Sequence, residues 1–132
     1  MLADASNTTR LSQGTADLRI FVLTFNRPES LTRLLSSLNE ADYLNDRVIL
    51  EIWIDKNQDG RIHEETFIRA SKFDFRKGRL YVYNHTKPVG IYGQWIDTWR
   101  PDPSMDEIVV FLEDDLSVSS FFYRYLKKVH AK

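Results

Sequence analysis

The stretch Ile108-Val-Val-Phe-Leu-Glu-Asp-Asp-Leu116 is an apolar run that ends abruptly in three carboxylates. Such a run is typical of a buried strand that delivers acids to one edge of a sheet. Ligands bind at the carboxyl ends of strands in open α/β sheets, and oxygen-only ligands suit Mg²⁺ or Mn²⁺ better than zinc or copper. Glu113, Asp114 and Asp115 therefore indicate a divalent cation site, while solvated acids in a loop or at a helix N-terminus remain the alternative.

Three other segments also have the character of strands. They are rich in β-branched and aromatic residues and nearly continuous in apolarity, as expected for strands that are covered on both faces. These segments are residues 18–25, 48–54 and 80–83. Together with the strand that begins at Ile108, they predict a sheet of four strands.

A segment with helical character follows each predicted strand. The first begins at Pro28 and places apolar residues at i, i+3, i+4 and i+7, namely Leu31, Leu34, Leu35 and Leu38. Further helices are predicted at about 63–73 and 91–99 and near the end of the chain. The predicted apolar face of the last helix consists of Phe121, Phe122, Tyr125, Leu126 and Val129. The order βαβαβαβα predicts a Rossmann-like α/β fold, with a mainly parallel sheet and helices on both faces.

Length and charge narrow the class of protein. The chain has 132 residues, enough for one compact domain. With 18 basic and 19 acidic residues the net charge is -1, so nothing suggests nucleic-acid binding. The absence of cysteine excludes disulfides and thiolate metal sites. Residues 1–17 are polar and predict a flexible leader, and no stretch has the apolar length of a membrane span.

The segment Asp55-Lys-Asn-Gln-Asp-Gly-Arg-Ile62 matches the first eight positions of a calcium EF-hand loop. The twelfth position should be a bidentate Glu but is Thr66, and a strand pattern precedes the loop where a helix should stand. A calcium-binding module that uses Asp55, Asn57 and Asp59 is therefore the least favoured hypothesis. The alternative is a turn rich in Asn, Asp and Gly. It leaves Asp55 at the carboxyl end of the second strand, where a ligand would bind.

Several motifs together resemble the donor-binding half of nucleotide-sugar glycosyltransferases of the GT-A fold. They are Thr24-Phe-Asn-Arg-Pro28, Asp55, Gly60-Arg-Ile-His-Glu-Glu-Thr66 and the segment 111–122. The resemblance is closest to the N-acetylglucosaminyltransferase I type, with Glu-Asp-Asp as its version of the DXD motif. It implies that residues 18–132 are the donor half of a GT-A domain, and so a partial domain.

The resemblance also implies roles for the three acids. Asp115, the last of them, matches the residue that ligates Mn²⁺, or Mg²⁺, on the donor diphosphate. Glu113 and Asp114 match positions that contact the ribose or the sugar, directly or through water.

Further implied contacts come from the first two strand ends. Arg27 and Asp55 match the arginine and aspartate that hold the uracil nucleotide, and Thr24 and Asn26 belong to the same nucleotide-sugar-binding set. In the helix after the third strand, the family has a histidine where this chain has Asp97.

The implied function is Mn²⁺-dependent transfer of a sugar, by resemblance N-acetylglucosamine, from a UDP-sugar donor to a glycan or glycoprotein acceptor. In this family the acceptor half follows the acidic motif, so no residue is assigned as the catalytic base. The alternative is a truncated, non-catalytic nucleotide-binding domain. Localisation stays open between the Golgi lumen or membrane, for a full-length eukaryotic enzyme, and the cytoplasm, for the chain as written.

Overall fold

The computed structural model describes residues 2–4, 16–84 and 107–130. Within these residues five parallel strands form one sheet: β1 (Leu2–Asp4), β2 (Leu18–Thr24), β3 (Val48–Ile54), β4 (Arg79–Asn84) and β5 (Ile108–Glu113). The helices are α1 (Pro28–Glu40), α2 (Glu64–Lys72) and α3 (Phe122–His130). The spatial order of the strands is β1-β4-β3-β2-β5.

The predicted Rossmann-like α/β fold with a parallel sheet is confirmed. Strands β2 to β5 and helices α1 to α3 occupy the segments in which the sequence predicted a strand or a helix. The helix predicted at 91–99, together with Asp97, lies outside the described residues. No helix in the described part of the chain is long and apolar enough to span a membrane.

Two parts of the N-terminal region, Leu2–Asp4 and Asp17, have defined partners in the structure, and the rest of the predicted flexible leader lies largely outside the described residues. Leu2–Asp4 pair in parallel with the end of β4 at one edge of the sheet. The guanidinium and the backbone N–H of Arg47 donate to the carboxylate of Asp17, and they hold the pKa of Asp17 below its usual value. Both contacts involve partners distant in sequence, and local composition does not report such partners.

One face of the sheet packs against the helices. Alternate residues of β2 and β3, beginning at Leu18 and Val48, form a single apolar cluster with side chains of α1, α2 and α3. The predicted leucine stripe of α1 is buried in this cluster. Full burial of one leucine side chain contributes about 1.5–3 kcal/mol, so the stripe holds α1 firmly on the sheet. As a result, the start of α1 has a defined position beside the end of β2.

The opposite face carries a buried charged cluster. Arg19 Nη1 donates to Glu51 Oε2 at 2.6 Å, and Arg19 Nε donates to Glu107 Oε1 at 2.8 Å. The indole N–H of Trp53 donates to the other oxygen of Glu51 at 2.9 Å. Buried charges are tolerated when they are paired and hydrogen-bonded. Because Glu107 immediately precedes β5, this cluster ties β5 to the centre of the sheet.

Helix α3 docks through Tyr123, which is fully buried. Its hydroxyl donates to Asp46 Oδ2 at 2.6 Å. The predicted apolar face was wrong in part, because Phe121, Tyr125 and Val129 are 59%, 68% and 51% exposed. Spacing of apolar residues did not identify Tyr123, whose ring packs as an apolar group while its hydroxyl reaches a distant carboxylate.

Substitution of Tyr123 by Phe should weaken this docking. A hydrogen bond to a charged group contributes about 1.5–3 kcal/mol, and Asp46 is partly exposed, so we expect the free energy of unfolding to fall by about 1–2 kcal/mol at pH 7. The Tyr123 hydroxyl and Lys127 hold the pKa of Asp46 below its ordinary value of 3.8. Their stabilisation is therefore present above about pH 4 and is lost as the pH falls through the lower folded-state pKa.

Urea unfolding between pH 7 and about pH 2.5 tests this expectation. The difference in free energy of unfolding between wild type and Tyr123→Phe should become smaller as the pH approaches about 2.5. As a control, Lys127→Met removes an exposed ion-pair partner of Asp46 and should cost less than about 1 kcal/mol at pH 7. A difference between wild type and Tyr123→Phe that stays constant with pH would contradict the role assigned to Asp46.

Gly78 lies where the chain enters β4 and runs against β3. A Cβ atom at this position would lie 2.1 Å from the backbone oxygen of Val48, which belongs to a paired strand and cannot move aside. We expect Gly78→Ala to lower the free energy of unfolding by about 1–3 kcal/mol or more. Gly60→Ala is the matched control, because nothing lies within 4 Å of the added Cβ and only the φ of +78° opposes it. The control should lose about 1–2 kcal/mol. Thermal unfolding that is normal in Gly78→Ala would rule out the clash.

Candidate functional site

The order of the strands changes direction at β2. The chain continues from β2 to β3 and β4 on one side, and then places β5 on the other side of β2. A crevice forms outside the carboxyl ends of the strands at such a topological switch point, and this is where open α/β sheets bind ligands. The ends of β2 and β5 border this crevice, since Leu23 pairs with Glu113 at the end of their ladder.

The structure brings the predicted site residues to this edge of the sheet. The β2 end contributes Thr24, Asn26 and Arg27, the β3 end contributes Asp55, and the β5 end contributes Glu113, Asp114 and Asp115. The backbone N–H of Asp55 donates to the carbonyl of Thr24 at 2.9 Å, which extends the β2–β3 pairing by one step. Asp55 is 6% exposed, and its Oδ1 accepts the backbone N–H of Lys56 at 2.9 Å.

The three acids after β5 do not share one environment. Asp114 is turned inward, where Thr24 Oγ1 donates to its Oδ2 at 2.8 Å, and it is 7% exposed. Glu113 is half-buried, whereas the side chain of Asp115 is 50% exposed. The backbone N–H of Leu116 donates to the carbonyl of Glu113 at 3.2 Å and closes the turn that carries the acids. We call residues 113–116 the acidic turn.

Arg27 faces the acidic turn from the other side of the crevice. Its Nη1 lies 3.7 Å from Asp115 Oδ2, and the two side chains are 60% and 50% exposed. So exposed an ion pair contributes about 0–1 kcal/mol and is readily exchanged for a ligand. Arg27 is also the N-cap residue of α1, and its side chain makes no capping hydrogen bond. The positive end of the α1 dipole therefore opens towards the same crevice and favours an anion.

A cavity of about 480 Å³ lies at the carboxyl ends of β3 and β4. It is lined by Lys56, Gly60, Arg61, Ile62, Glu64, Phe67 and Asn84. Its size suits a small-molecule site, and its lining combines apolar and charged groups. Sequence reasoning did not name these residues as ligand contacts. These residues come from the 55–62 loop, from α2 and from the end of β4, so the sequence could have indicated their proximity only through a prediction of how that loop turns towards α2.

The 55–62 loop is a turn that connects β3 to α2, whereas an EF-hand loop connects two helices. Asn57 Oδ1 accepts the backbone N–H groups of Asp59 and Arg61, both at 2.9 Å. Gly60 adopts a φ of +78°, which the turn requires. The amide oxygen of Asn57 thus builds the turn, and a strand precedes the loop where an EF-hand has a helix. The calcium-binding hypothesis stays the least favoured prediction.

The donor set at the acidic turn fits a metal ion that is shared with a substrate. In residues 2–4, 16–84 and 107–130, no group of three or more His, Cys, Asp or Glu side chains could hold a metal ion by itself. Mg²⁺ is usually bound by one or two carboxylates, with phosphate oxygens and water completing its shell. Asp115 and Glu113 offer hard oxygen donors of this kind, which suit Mn²⁺ equally. Two such donors could hold an ion whose remaining ligands are phosphate oxygens and water.

The parallel sheet and its strand order define a Rossmann-like α/β domain. Among solved structures, the crystal structure of S. aureus TarS 1-349, a wall teichoic acid glycosyltransferase with a GT-A-like fold, is similar to this chain. The TM-score is 0.59 at 20% sequence identity. The match covers 87% of this chain and 31% of TarS, so the chain spans about a third of the length of that structure.

No protein-family model matches the chain, and no curated protein matches its sequence. The structural comparison shows that the fold of this chain is similar to that of TarS, and the resemblance of the sequence to nucleotide-sugar glycosyltransferases is consistent with that fold. The closer resemblance to the N-acetylglucosaminyltransferase I type stays a prediction.

Proposed function

We propose that this chain is the donor-binding domain of a glycosyltransferase that takes a UDP-sugar together with Mn²⁺ or Mg²⁺. The observation that carries the proposal is the acidic turn after β5, which faces Arg27 and the start of α1 across the switch-point crevice. This arrangement combines oxygen donors for a cation with positive groups for a diphosphate. The similarity of the fold to that of TarS supports the class of reaction, and the resemblance of the sequence motifs, the 111–122 segment among them, supports N-acetylglucosamine as the sugar.

Asp115 is the proposed ligand of the cation, and Arg27 is the proposed contact to the diphosphate. In the free protein the Asp115 carboxylate already faces a positive group, because Arg27 Nη1 lies 3.7 Å away. A divalent cation can replace the guanidinium at Asp115, which leaves Arg27 to donate to phosphate oxygens. Glu113, on the same turn, is the proposed contact to the sugar or ribose.

The nucleoside part of the UDP-sugar donor is proposed to lie along the carboxyl ends of β2 and β3. Asp55 is held beside Thr24 by the backbone hydrogen bond between them, and Asn26 is exposed in the loop that follows β2. The cavity lined by Phe67 and Asn84 lies on the same edge of the sheet. Lys56, the residue after Asp55, also lines this cavity. The aromatic ring of Phe67 beside polar groups suits a nucleobase.

In the proposed reaction, the residues of this chain bind and orient the donor. A divalent cation bound with the donor would neutralise the charge that develops on the departing diphosphate. Arg27 would add positive charge from the protein side of the same leaving group. No described residue is assigned as the general base. Transfer to a glycan or glycoprotein acceptor is therefore proposed for an enzyme of which this domain is the donor half.

A second candidate is a nucleotide-binding domain without turnover, because the donor-site residues at the acidic turn and at Arg27 would bind a nucleotide whether or not a reaction follows. The two candidates differ in one measurement. Release of UDP from UDP-N-acetylglucosamine, in the presence of sugar acceptors, would reject the non-catalytic candidate. Binding of UDP without turnover by this chain is expected of both candidates, because the first assigns acceptor binding to another part of the enzyme.

Calorimetric titration of UDP into the purified chain tests the donor site. We expect binding that requires Mn²⁺ and disappears with chelator. Asp115→Ala should lower the Mn²⁺-dependent affinity at least about tenfold, equivalent to about 1.4 kcal/mol, because it removes the proposed cation ligand.

Glu40→Ala is the matched control for this titration. Glu40 is an exposed acid at the far end of α1, so its removal should leave the affinity unchanged. If UDP binds equally with and without Mn²⁺, the metal assignment is wrong. If the chain binds no UDP under any condition, the donor-site proposal is wrong.

Arg27→Ala should weaken UDP binding without unfolding the protein. Hydrogen bonds to charged groups contribute about 1.5–3 kcal/mol, so the affinity should fall about 10- to 100-fold. The free energy of unfolding should change by less than about 1 kcal/mol, because the pair with Asp115 is exposed. Arg33→Ala provides a control on the same helix, where the Arg33 guanidinium donates to Ser30 Oγ at 3.1 Å. Equal UDP affinities of the Arg27 and Arg33 variants would count against the assignment.

A further inference from the structure

Thr24 and Asp114 form a buried pair at the base of the acidic turn. Thr24 Oγ1 donates to Asp114 Oδ2 at 2.8 Å, and the two residues are 3% and 7% exposed. The pair joins two residues that are 90 positions apart in the chain. Resting on the proposed function, we propose that Thr24 and Asp114 are positioning residues: they do not contact the donor, but they hold the acidic turn so that Asp115 faces the crevice.

The pair lies directly beyond the last rung of the backbone ladder. The pairing of β2 with β5 ends at Leu23 and Glu113. After Glu113 the chain leaves the strand and enters the acidic turn. Thr24 follows Leu23, and Asp114 follows Glu113. The side-chain hydrogen bond joins these two next residues to each other. This bond therefore continues the connection between β2 and β5 by one residue, at the point where the backbone pairing stops.

Thr24 also connects the acidic turn to the third strand end. Its carbonyl accepts the backbone N–H of Asp55 at 2.9 Å, while its hydroxyl donates to Asp114. One residue thus links the ends of β3, β2 and β5, which are the three places where the predicted site residues lie. A change at Thr24 is expected to shift these groups relative to one another.

Burial separates Asp114 from its two neighbours in the acidic turn. A buried carboxylate is costly unless hydrogen-bonded, and Thr24 provides the bond for Asp114. Asp115, in contrast, has half of its side chain exposed and faces Arg27. Residues that orient a metal ligand without touching the metal typically change metal affinity about 10- to 100-fold when they are replaced.

The test compares Thr24→Val, which keeps the shape of the side chain but loses the donor, with Thr24→Ser, which keeps the donor. Two quantities are measured: the Mn²⁺-dependent affinity for UDP, and the hydrogen exchange rate of the Leu116 amide, which closes the acidic turn. We expect Thr24→Val to lose about 10- to 100-fold in affinity and to exchange the Leu116 amide faster. Thr24→Ser should restore both quantities to within about threefold of wild type.

If Thr24→Val fails to fold, the Mn²⁺-dependent UDP affinity of Asp114→Asn tests the proposal instead. The amide oxygen of Asn can still accept the Thr24 hydroxyl. A positioning role predicts that Asp114→Asn keeps most of the Mn²⁺-dependent affinity that Asp115→Ala loses. If Asp114→Asn loses as much affinity as Asp115→Ala, Asp114 contacts the cation or the donor itself, and the proposal is overturned.

Failure of this proposal is distinguishable from failure of the proposed function. Unchanged affinity and unchanged Leu116 exchange in Thr24→Val would overturn the positioning role alone. A wild-type chain that binds no UDP would reject the donor site, yet faster Leu116 exchange in Thr24→Val would still show that the pair holds the acidic turn. If Thr24→Ser behaves like Thr24→Val, the hydroxyl is not the group that acts, and the proposal is also overturned.

Discussion

The whole arrangement depends on the parallel pairing of β2 with β3 on one side and with β5 on the other. Leu18 is level with both Val48 and Ile108, so the three strands begin at one level and their carboxyl ends meet at one edge. Polar residues that follow three separate strands are thereby gathered at the switch point. A shift of one residue in either pairing would turn each side chain of that strand to the opposite face and disperse the group.

The buried charged cluster on the opposite face supports this pairing. Arg19 of β2 is bonded both to Glu51 of β3 and to Glu107, which precedes β5. Such a cluster contributes little net stability, because removing three charges from water offsets much of their mutual attraction. Its effect is on geometry: a displaced β5 would leave buried charges without partners. The charged cluster therefore constrains the register of β5 against β2. It thereby also fixes the position of the acidic turn at the end of β5, and it does so from the face opposite the one that packs against α1, α2 and α3.

The acidic turn shows how one short motif divides into different tasks. Three consecutive carboxylates look equivalent in sequence, yet Asp114 is bonded to Thr24 inside the protein and Asp115 faces Arg27 across the crevice. Consecutive side chains leave the backbone in different directions, so a buried acid next to an exposed one is an expected result of a turn at a strand end. The exposed acid is free to exchange its weak ion pair, whereas the buried acid is held.

The sequence by itself determined the alternation of strands and helices, the leucine stripe of α1 and the arrival of Asp115 at the carboxyl end of a strand. These features follow from local periodicity, which reports which face of an element is buried. Only the tertiary structure decided that Tyr123 anchors α3, that Leu2–Asp4 extend the sheet, and that Asp114 turns inward to Thr24. Each of those outcomes joins groups that are far apart in the chain, and only the packing of the whole sheet determines which distant groups meet.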